Sequence, residues 1–280
     1  MKNVLAPGLH IVATPIGNLG DLSPRAADTL RSADLILVVD TRVTAKLLAH
    51  IGVKVPMLRY DDHSDERQRE ATVARLGNEA IALVSDAGTP LISDPGYKLV
   101  RAARAAGHSV HTVPGPCAAI AALTLAGLPT DRFLFLGFLP PKSGARANAI
   151  RDVAELRATL VIYESGQRIA ATLRALEAGL GPRDAAVARE ITKLYEECVS
   201  GSLTDLAARY GKAEAAPKGE LVILVAPPLE PETASNDAID RLLDDALARL
   251  SPSRAAAEVA ERLGIPRKRA YDRALDRSRK

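Results

Sequence analysis

The sequence predicts an α/β protein with two successive α/β domains and a small helical, basic extension at its C-terminal end. Three observations carry that prediction. Short runs of branched apolar residues alternate with helical patterns along most of the chain, the signature of largely parallel sheets covered on both faces by crossover helices. Several runs, such as LILVV at 35–39 and ELVILVA at 220–226, are apolar without alternation, as strands covered on both faces are. Polar, Gly- and Pro-rich motifs recur where those runs end, the side of an open α/β sheet that forms ligand crevices.

Taken in order, the first set of strands is Leu9–Ala13, Leu35–Val39, Ala80–Val84 and Ser109–Val113, with helices at Arg25–Ser32, Thr41–His50, Glu66–Leu76 and Lys98–Ala106. The stiff segment Val113-Pro-Gly-Pro-Cys117 then ends a strand, and a helix resumes over Ala118–Leu128. A second set of strands follows at Phe133–Gly137, Thr159–Tyr163, Asp184–Arg189 and Leu221–Ala226. These punctuations give domains at 1–117, 118–228 and 229–280. In the last, Ser253–Gly264 reads as a helix with Arg254, Glu258 and Glu261 outward and Ala257, Ala260 and Leu263 inward. Ile265-Pro266 turns the chain, and Arg267–Leu275 forms a second, basic helix containing Arg273.

A chain of 280 residues with 47% apolar and 25% charged residues can build real cores. No run reaches the roughly 18 apolar residues of a membrane helix. Met1–Leu19, interrupted by Pro7, Gly8, Pro15 and Gly17, has no signal-peptide pattern. Cys117 and Cys198 suggest neither a disulfide framework nor a metal site, so the expectation is a cytoplasmic protein without a membrane partner. The net charge is only +3, but it is unevenly spread: residues 231–250 hold five acids and two bases, residues 251–280 four acids and nine bases. Aromatic residues are 3% with no Trp, which argues against an extended stacking platform for single-stranded nucleic acid.

The unusual motifs gather at strand ends. They are Ala13-Thr-Pro-Ile-Gly-Asn-Leu19, Asp40-Thr41-Arg42, Ser85-Asp-Ala-Gly-Thr-Pro90, Pro114-Gly-Pro116, Tyr163-Glu164-Ser165 and Arg189-Glu190, with a second turn at Ser93-Asp94-Pro95-Gly96. Small residues let a ligand approach the backbone, and Asp86 suits an amine or ribose hydroxyl. Each has a plain structural alternative: Asp40 can cap the following helix, Ser85–Pro90 can be a turn, Glu164 and Glu190 can be ion-paired. Their collection at strand ends favours a site. A dinucleotide fingerprint is absent. Gly137-Phe-Leu-Pro-Pro-Lys142-Ser143 cannot cradle phosphate, because its prolines lack N–H donors. His63 beside Asp61 and Asp62 is too isolated for a metal site, and no metal is expected.

The ordered set TPIGNL (14–19), DTR (40–42), VSDAGTPLISDPG (84–96), VPGPCAAI (113–120), GLPTDRFLFLGFLP (127–140), YES (163–165), REITK (189–193) and KGELVILV (218–225) resembles the ribosomal RNA small-subunit methyltransferase I family. That family lies within the tetrapyrrole-methylase-like, class III methyltransferases. The resemblance spans about residues 9–227. It implies a two-domain fold with S-adenosylmethionine in the cleft, a homodimer, and methylation of a cytidine 2′-hydroxyl in the decoding region of 16S rRNA. It implies donor contacts from Pro15, Asp86, Ala87, Gly88, Cys117, Ala118, Tyr163, Ala188 and Pro217. One departure is visible: relatives commonly carry a glutamate just before DTR, where this chain has Val38-Val39.

Such a transfer needs alignment and a group to take the hydroxyl proton. Asp40, Glu164, Glu190 and Lys193 are the candidates. Arg42 and Arg189 read as phosphate or carboxylate clamps, since guanidinium keeps its proton. Lys142, Arg146 and Lys218 suit RNA phosphates near the cleft, and Arg267, Lys268 and Arg269 give the extension a basic face. The partner expected is the small ribosomal subunit or its RNA rather than DNA. Two other readings compete: a tetrapyrrole or other small-molecule methylase of the same fold, and a non-catalytic rRNA-binding assembly factor.

Overall fold

In the computed structural model, β1 (Gly8–Val12), β2 (Leu35–Val38), β3 (Met57–Arg59), β4 (Ala80–Leu83) and β5 (Val110–Val113) form one sheet, in the order β3-β2-β4-β1-β5. The structure describes residues 5–61, 66–212, 217, 219–228 and 235–278; Lys218 and His63 lie outside them. Every pair in this sheet is parallel. The connecting helices are α1 (Pro24–Ser32), α2 (Thr41–His50), α3 (Glu66–Arg75) and α4 (Tyr97–Ala105).

The unalternating strand sequences are explained by helices on both faces. Val12, Ile36, Val38 and Ala82 pack with Ala26 and Leu30 of α1 and Leu47 and Leu48 of α2. Their neighbours Leu9, Ile11, Leu35, Leu37 and Ile81 pack with Leu99 and Ala103 of α4 on the other side. Truncating a fully buried member such as Leu30 would cost about 2–5 kcal/mol. Helix starts follow local chemistry: Ser23 accepts from the Ala26 N–H at 3.1 Å ahead of Pro24, and Asp40 accepts from the Arg42 N–H at 2.8 Å.

After α5 (Ala118–Leu125) the chain builds a second sheet. Its elements are β6 (Phe133–Phe138), α6 (Ser143–Arg151), β7 (Thr159–Ser165), α7 (Ile169–Leu180), β8 (Asp184–Arg189), β9 (Glu197–Ser202), α8 (Leu203–Gly211) and β10 (Glu220–Val225). The strand order is β6-β7-β10-β8-β9. Only β6–β7 is parallel; β10 runs antiparallel to both β7 and β8, and β9 antiparallel to β8. The expectation of largely parallel sheets therefore holds for the first sheet and fails for the second. Leu160, Ile162, Val187 and Ile223 face Leu173 and Leu176 of α7, while Val161, Ala186, Ala188 and Val222 face Ala119, Ala122 and Leu123 of α5.

Two compact units result, Met1–Pro228 and Leu229–Lys280. The second contains α9 (Asn236–Leu247), α10 (Pro252–Leu263) and α11 (Arg267–Ser278) around Ile239, Leu243, Ala255, Val259 and Ala270. The buried face of α10 is Ala255, Ala256, Val259 and Ala260, so the expected inward positions Ala257 and Leu263 are only half-buried. Asp240 receives Arg273 and Arg277, and Asp244 also receives Arg277, which ties α11 to α9. Gly264 closes α10 in a left-handed conformation at φ 63°.

Candidate active site

Four strand-end segments of the first sheet are pinned to one another by hydrogen bonds. The Thr14 N–H donates to the Gly88 carbonyl at 2.8 Å, and the Gly88 N–H returns to the Thr14 carbonyl at 3.1 Å. Gly88 sits at φ 79°, and a Cβ there would press on Ile16 at 3.2 Å. The Thr89 hydroxyl donates to the Pro116 carbonyl at 2.9 Å, which ties the Ser85–Pro90 turn to the Pro114–Pro116 segment. Asp86 accepts the Asp40 N–H at 3.0 Å, which draws in the segment that opens α2.

Against these segments lies the second sheet, and between them is a cavity of about 460 Å³. Its walls include Ile16, Asp86, Ala87, Gly88, Ser93 and Asp94 from the first half of the unit. Cys117, Ala118, Phe138, Tyr163, Glu190, Lys193, Glu220 and Val222 close it from the second. Tyr163 is held from two sides. Its hydroxyl accepts the Ala119 N–H at the start of α5 at 3.1 Å, and Phe138 meets its ring edge-on at 5.7 Å between centroids. Burial, then the neighbouring Cys117 thiol, pushes the Tyr163 phenol up, so it stays protonated.

The cavity is acidic and locally strained. Asp86, Asp94, Glu190 and Glu220 line it; among the described residues the ammonium against them is that of Lys193, which donates to Glu190 at 2.9 Å. Removal from water, then the negative charges of Asp86 and Glu220, push the Asp94 carboxyl up to about 6, against a hydrogen bond from Ser85. Glu190 and Thr192 both adopt left-handed backbone, at φ 50° and 66°. The Lys193 stem lies over Gly17, where a Cβ would come within 2.6 Å of Lys193 Cγ and 2.9 Å of the Ile191 carbonyl.

Of the residues expected from sequence, Asp86, Ala87, Gly88, Cys117, Ala118, Tyr163, Glu190 and Lys193 line this one cavity. Pro15 stands beside it in the pinned loop, and Pro217 lies against Gly166, where a Cβ would overlap the Pro217 carbonyl. Ala188 is fully buried in the apolar layer beneath α5.

Four expectations are corrected. Glu164 is not in the cavity: it is fully buried on the α7 face of β7, opposite Tyr163, and its carboxylate receives Thr172 Oγ1 at 2.7 Å, its neighbour's N–H at 2.8 Å and Arg168 at 3.3 Å. Asp40 lies outside the lining, chelated by its own neighbour Arg42 at 2.6 Å, which holds its carboxyl down at about 2. That pairing also occupies Arg42. Arg189 is spent on Glu197 at 2.6 Å.

The remaining cations are scattered. Lys142 is exposed before α6, and Arg146 nearby donates to the Pro141 carbonyl at 3.5 Å. Lys268 is exposed on α11, Arg267 donates to Ser253 Oγ at 3.1 Å, and Arg269 to Asn236 Oδ1 at 3.1 Å.

Phe138, Asp94 and Glu220 were missed as lining residues. Glu220 escaped because β10 runs antiparallel, so its first residue, not its last, reaches the crevice. Asp94 stood in the second turn after β4, a doubled turn with no packing reason for its length.

The site fits a cationic nucleoside-sized ligand: carboxylates suit a positive sulfur and ammonium, and Ile16, Ala118, Phe138 and Val222 suit a planar base. Comparison with known proteins agrees. A family model described as Tetrapyrrole (Corrin/Porphyrin) Methylases matches residues 8–207, and one described as RsmI C-terminal HTH domain matches 233–278. A ribosomal RNA small subunit methyltransferase I from Erythrobacter litoralis is 53% identical over 97% of this chain and 96% of its own. One from Xylella fastidiosa is 48% identical over 95% and 98%. Among solved structures, a diphthine synthase superposes with a TM-score of 0.61 at 16% identity, covering 78% of this chain and 89% of its own. Uroporphyrin-III-C-methyltransferase from Thermus thermophilus gives 0.56 at 21%, covering 79% and 94%. The structures share the fold alone, whereas the sequence relatives match end to end, and by that match the chain belongs to the ribosomal RNA small subunit methyltransferase I family of tetrapyrrole-methylase-like enzymes.

Proposed function

We propose that this enzyme transfers a methyl group from S-adenosylmethionine to the 2′-hydroxyl of a cytidine in the decoding region of 16S rRNA. The observation that carries the reading is the carboxylate-lined cavity where the two sheets meet, in a chain of this family. When bound, the donor supplies a methyl already activated by positive sulfur. The chain's own work is then positioning, worth several kcal/mol of barrier when reacting atoms are held in line.

In this reading Asp86, Gly88, Cys117, Ala118 and Tyr163 hold the donor, with Pro15, Ala87, Ala188 and Pro217 shaping its pocket. The acidic lining repels phosphate, so the RNA backbone stays outside and only a ribose enters. Lys142 and Arg146 of the first unit, and Arg267, Lys268 and Arg269 of the second, are the cations this reading assigns to RNA phosphates. The basic helical unit supports an RNA substrate over a tetrapyrrole. The reading includes a cytoplasmic homodimer, supported by the family resemblance and checked by light scattering of the purified chain.

The direct test supplies labelled S-adenosylmethionine and small subunits lacking the modification, then maps the label. Label on the 2′-oxygen of one decoding-region cytidine is the expected result. Tight donor binding with no label on subunits or RNA would overturn the assignment and favour an assembly factor; label on a tetrapyrrole alone would favour the small-molecule reading.

A further inference from the structure

The segment from Leu139 to Lys142 leaves β6 beside the cavity and enters α6, whose first turn carries two of the cations assigned above to RNA phosphates. Phe138, just before the segment, lines the cavity, and Lys142 at its end is exposed. Pro140 and Pro141 have no N–H, so the segment's own backbone supplies few hydrogen bonds to hold its shape. Its three successive carbonyls are taken by guanidinium groups instead. Arg168 Nη2 donates to the Leu139 carbonyl at 2.7 Å and to the Pro140 carbonyl at 3.4 Å, and Arg146 Nη1 to the Pro141 carbonyl at 3.5 Å.

Arg168 reaches the segment from the start of α7, 29 residues further along the chain than Leu139. Its Nε lies 3.3 Å from the carboxylate of Glu164, which is fully buried and also accepts from Thr172 Oγ1 at 2.7 Å. The guanidinium thus has a fixed anion on one edge and the loop's carbonyls on another. A planar fork of donors suits that bridge, and an ammonium does not. With both edges engaged, Arg168 is placed to hold the loop rather than to bind a phosphate.

We infer that Arg168 is a positioning residue for the RNA substrate: seated on Glu164, it fixes the Leu139–Lys142 segment and so sets where Lys142 stands relative to the cavity. The inference rests on the function proposed above. It gives the buried Glu164 a use as the anchor of that bracket. Phe138 does not depend on Arg168, because it pairs with Tyr163 in the β6–β7 ladder and meets that ring edge-on at 5.7 Å. Losing Arg168 should therefore loosen the RNA side of the segment and leave the donor side in place.

The test measures methylation of small subunits lacking the modification, with subunits varied at saturating donor and well below the melting temperature. Arg168→Ala should raise KM for subunits about tenfold with kcat within a few-fold, the mark of lost binding shared by ground and transition states. Arg168→Lys keeps the charge without the fork and should fall between. Lys142→Ala should raise KM severalfold in the wild-type background and add little to Arg168→Ala, a coupling that the double-mutant cycle reads. Calorimetric affinity for S-adenosylhomocysteine should stay within a few-fold throughout.

A lower melting temperature with unchanged KM in Arg168→Ala would make the residue structural support alone and overturn the inference. So would additive effects of the Arg168 and Lys142 substitutions, or a loss traced wholly to weaker donor binding. If Arg168→Ala does not fold, the same cycle run with Arg168→Lys decides. Wild type that fails to methylate any subunit would instead overturn the functional reading beneath it.

Discussion

Tyr163 and Glu164 are one position apart in the chain and on opposite faces of one sheet. Tyr163 reaches the cavity; Glu164 is fully buried beneath α7 beside Thr172, with the half-buried Arg168 at its edge. Without Glu164 the fully buried Thr172 hydroxyl loses its acceptor and Arg168 its ion pair, so Glu164→Ala should cost about 1–3 kcal/mol. Urea unfolding would measure it, while methyl transfer at low temperature stays within a few-fold of wild type. A large rate loss with unchanged stability would restore Glu164 to the chemistry. The sequence could not make this distinction, because the LVIY run ahead of Glu164 does not alternate and either face could have been the cavity face.

Asp94 makes stability depend on pH. Its folded-state pKa lies above the ordinary 3.8, so the folded chain holds the proton more tightly than the unfolded chain. That contribution is fully present below 3.8 and is lost as pH rises through about 6. Asp94→Asn should therefore melt higher than wild type above that pH and converge with it in acid, by scanning calorimetry.

At the scale of elements, the strand-end loops behave as a latched set. Gly17 is the point where the loop after β1 meets the segment after β8, and the space of its missing Cβ is filled by Lys193 and the Ile191 carbonyl. Gly17→Ala should weaken donor affinity and slow transfer, each by about tenfold, a cost of roughly 1.4 kcal/mol. Combining it with Lys193→Ala should relieve only part of the loss, because the carbonyl remains; a double-mutant cycle reads the coupling.

Elements with strong apolar runs were legible: Asp184–Arg189 and Thr41–His50 fall where the pattern put them. Strands β3 and β9 were not, for physical reasons. Both lie at sheet edges, β3 is three residues long, and ECVSGS has no apolar run to signal it. Antiparallel β10 was legible as a strand but not in its direction, and direction decided which of its residues reached the site.

Over the whole molecule, a net charge of +3 conceals a division of labour. The cavity is acidic, and exposed cations stand elsewhere. In the C-terminal unit, Arg273 and Arg277 are spent on Asp240 and Asp244, so the basic face read from sequence is thinner than its composition suggests. Lys268→Ala should lower affinity for ribosomal RNA and reduce the salt slope of binding by about one. Arg273→Ala should instead loosen the helical unit, seen as lost helicity on heating, with its effect on RNA binding following from that loosening. The strand order β6-β7-β10-β8-β9 has a further consequence during synthesis. The first sheet is complete in the chain by Val113, but the middle of the second is its last strand to be translated. Until Val225 leaves the exit tunnel, β7 and β8 each present an unpaired inner edge to solvent. A nascent enzyme stalled before that point would be half a protein with two open seams, and the moment of greatest demand for a chaperone falls late in translation.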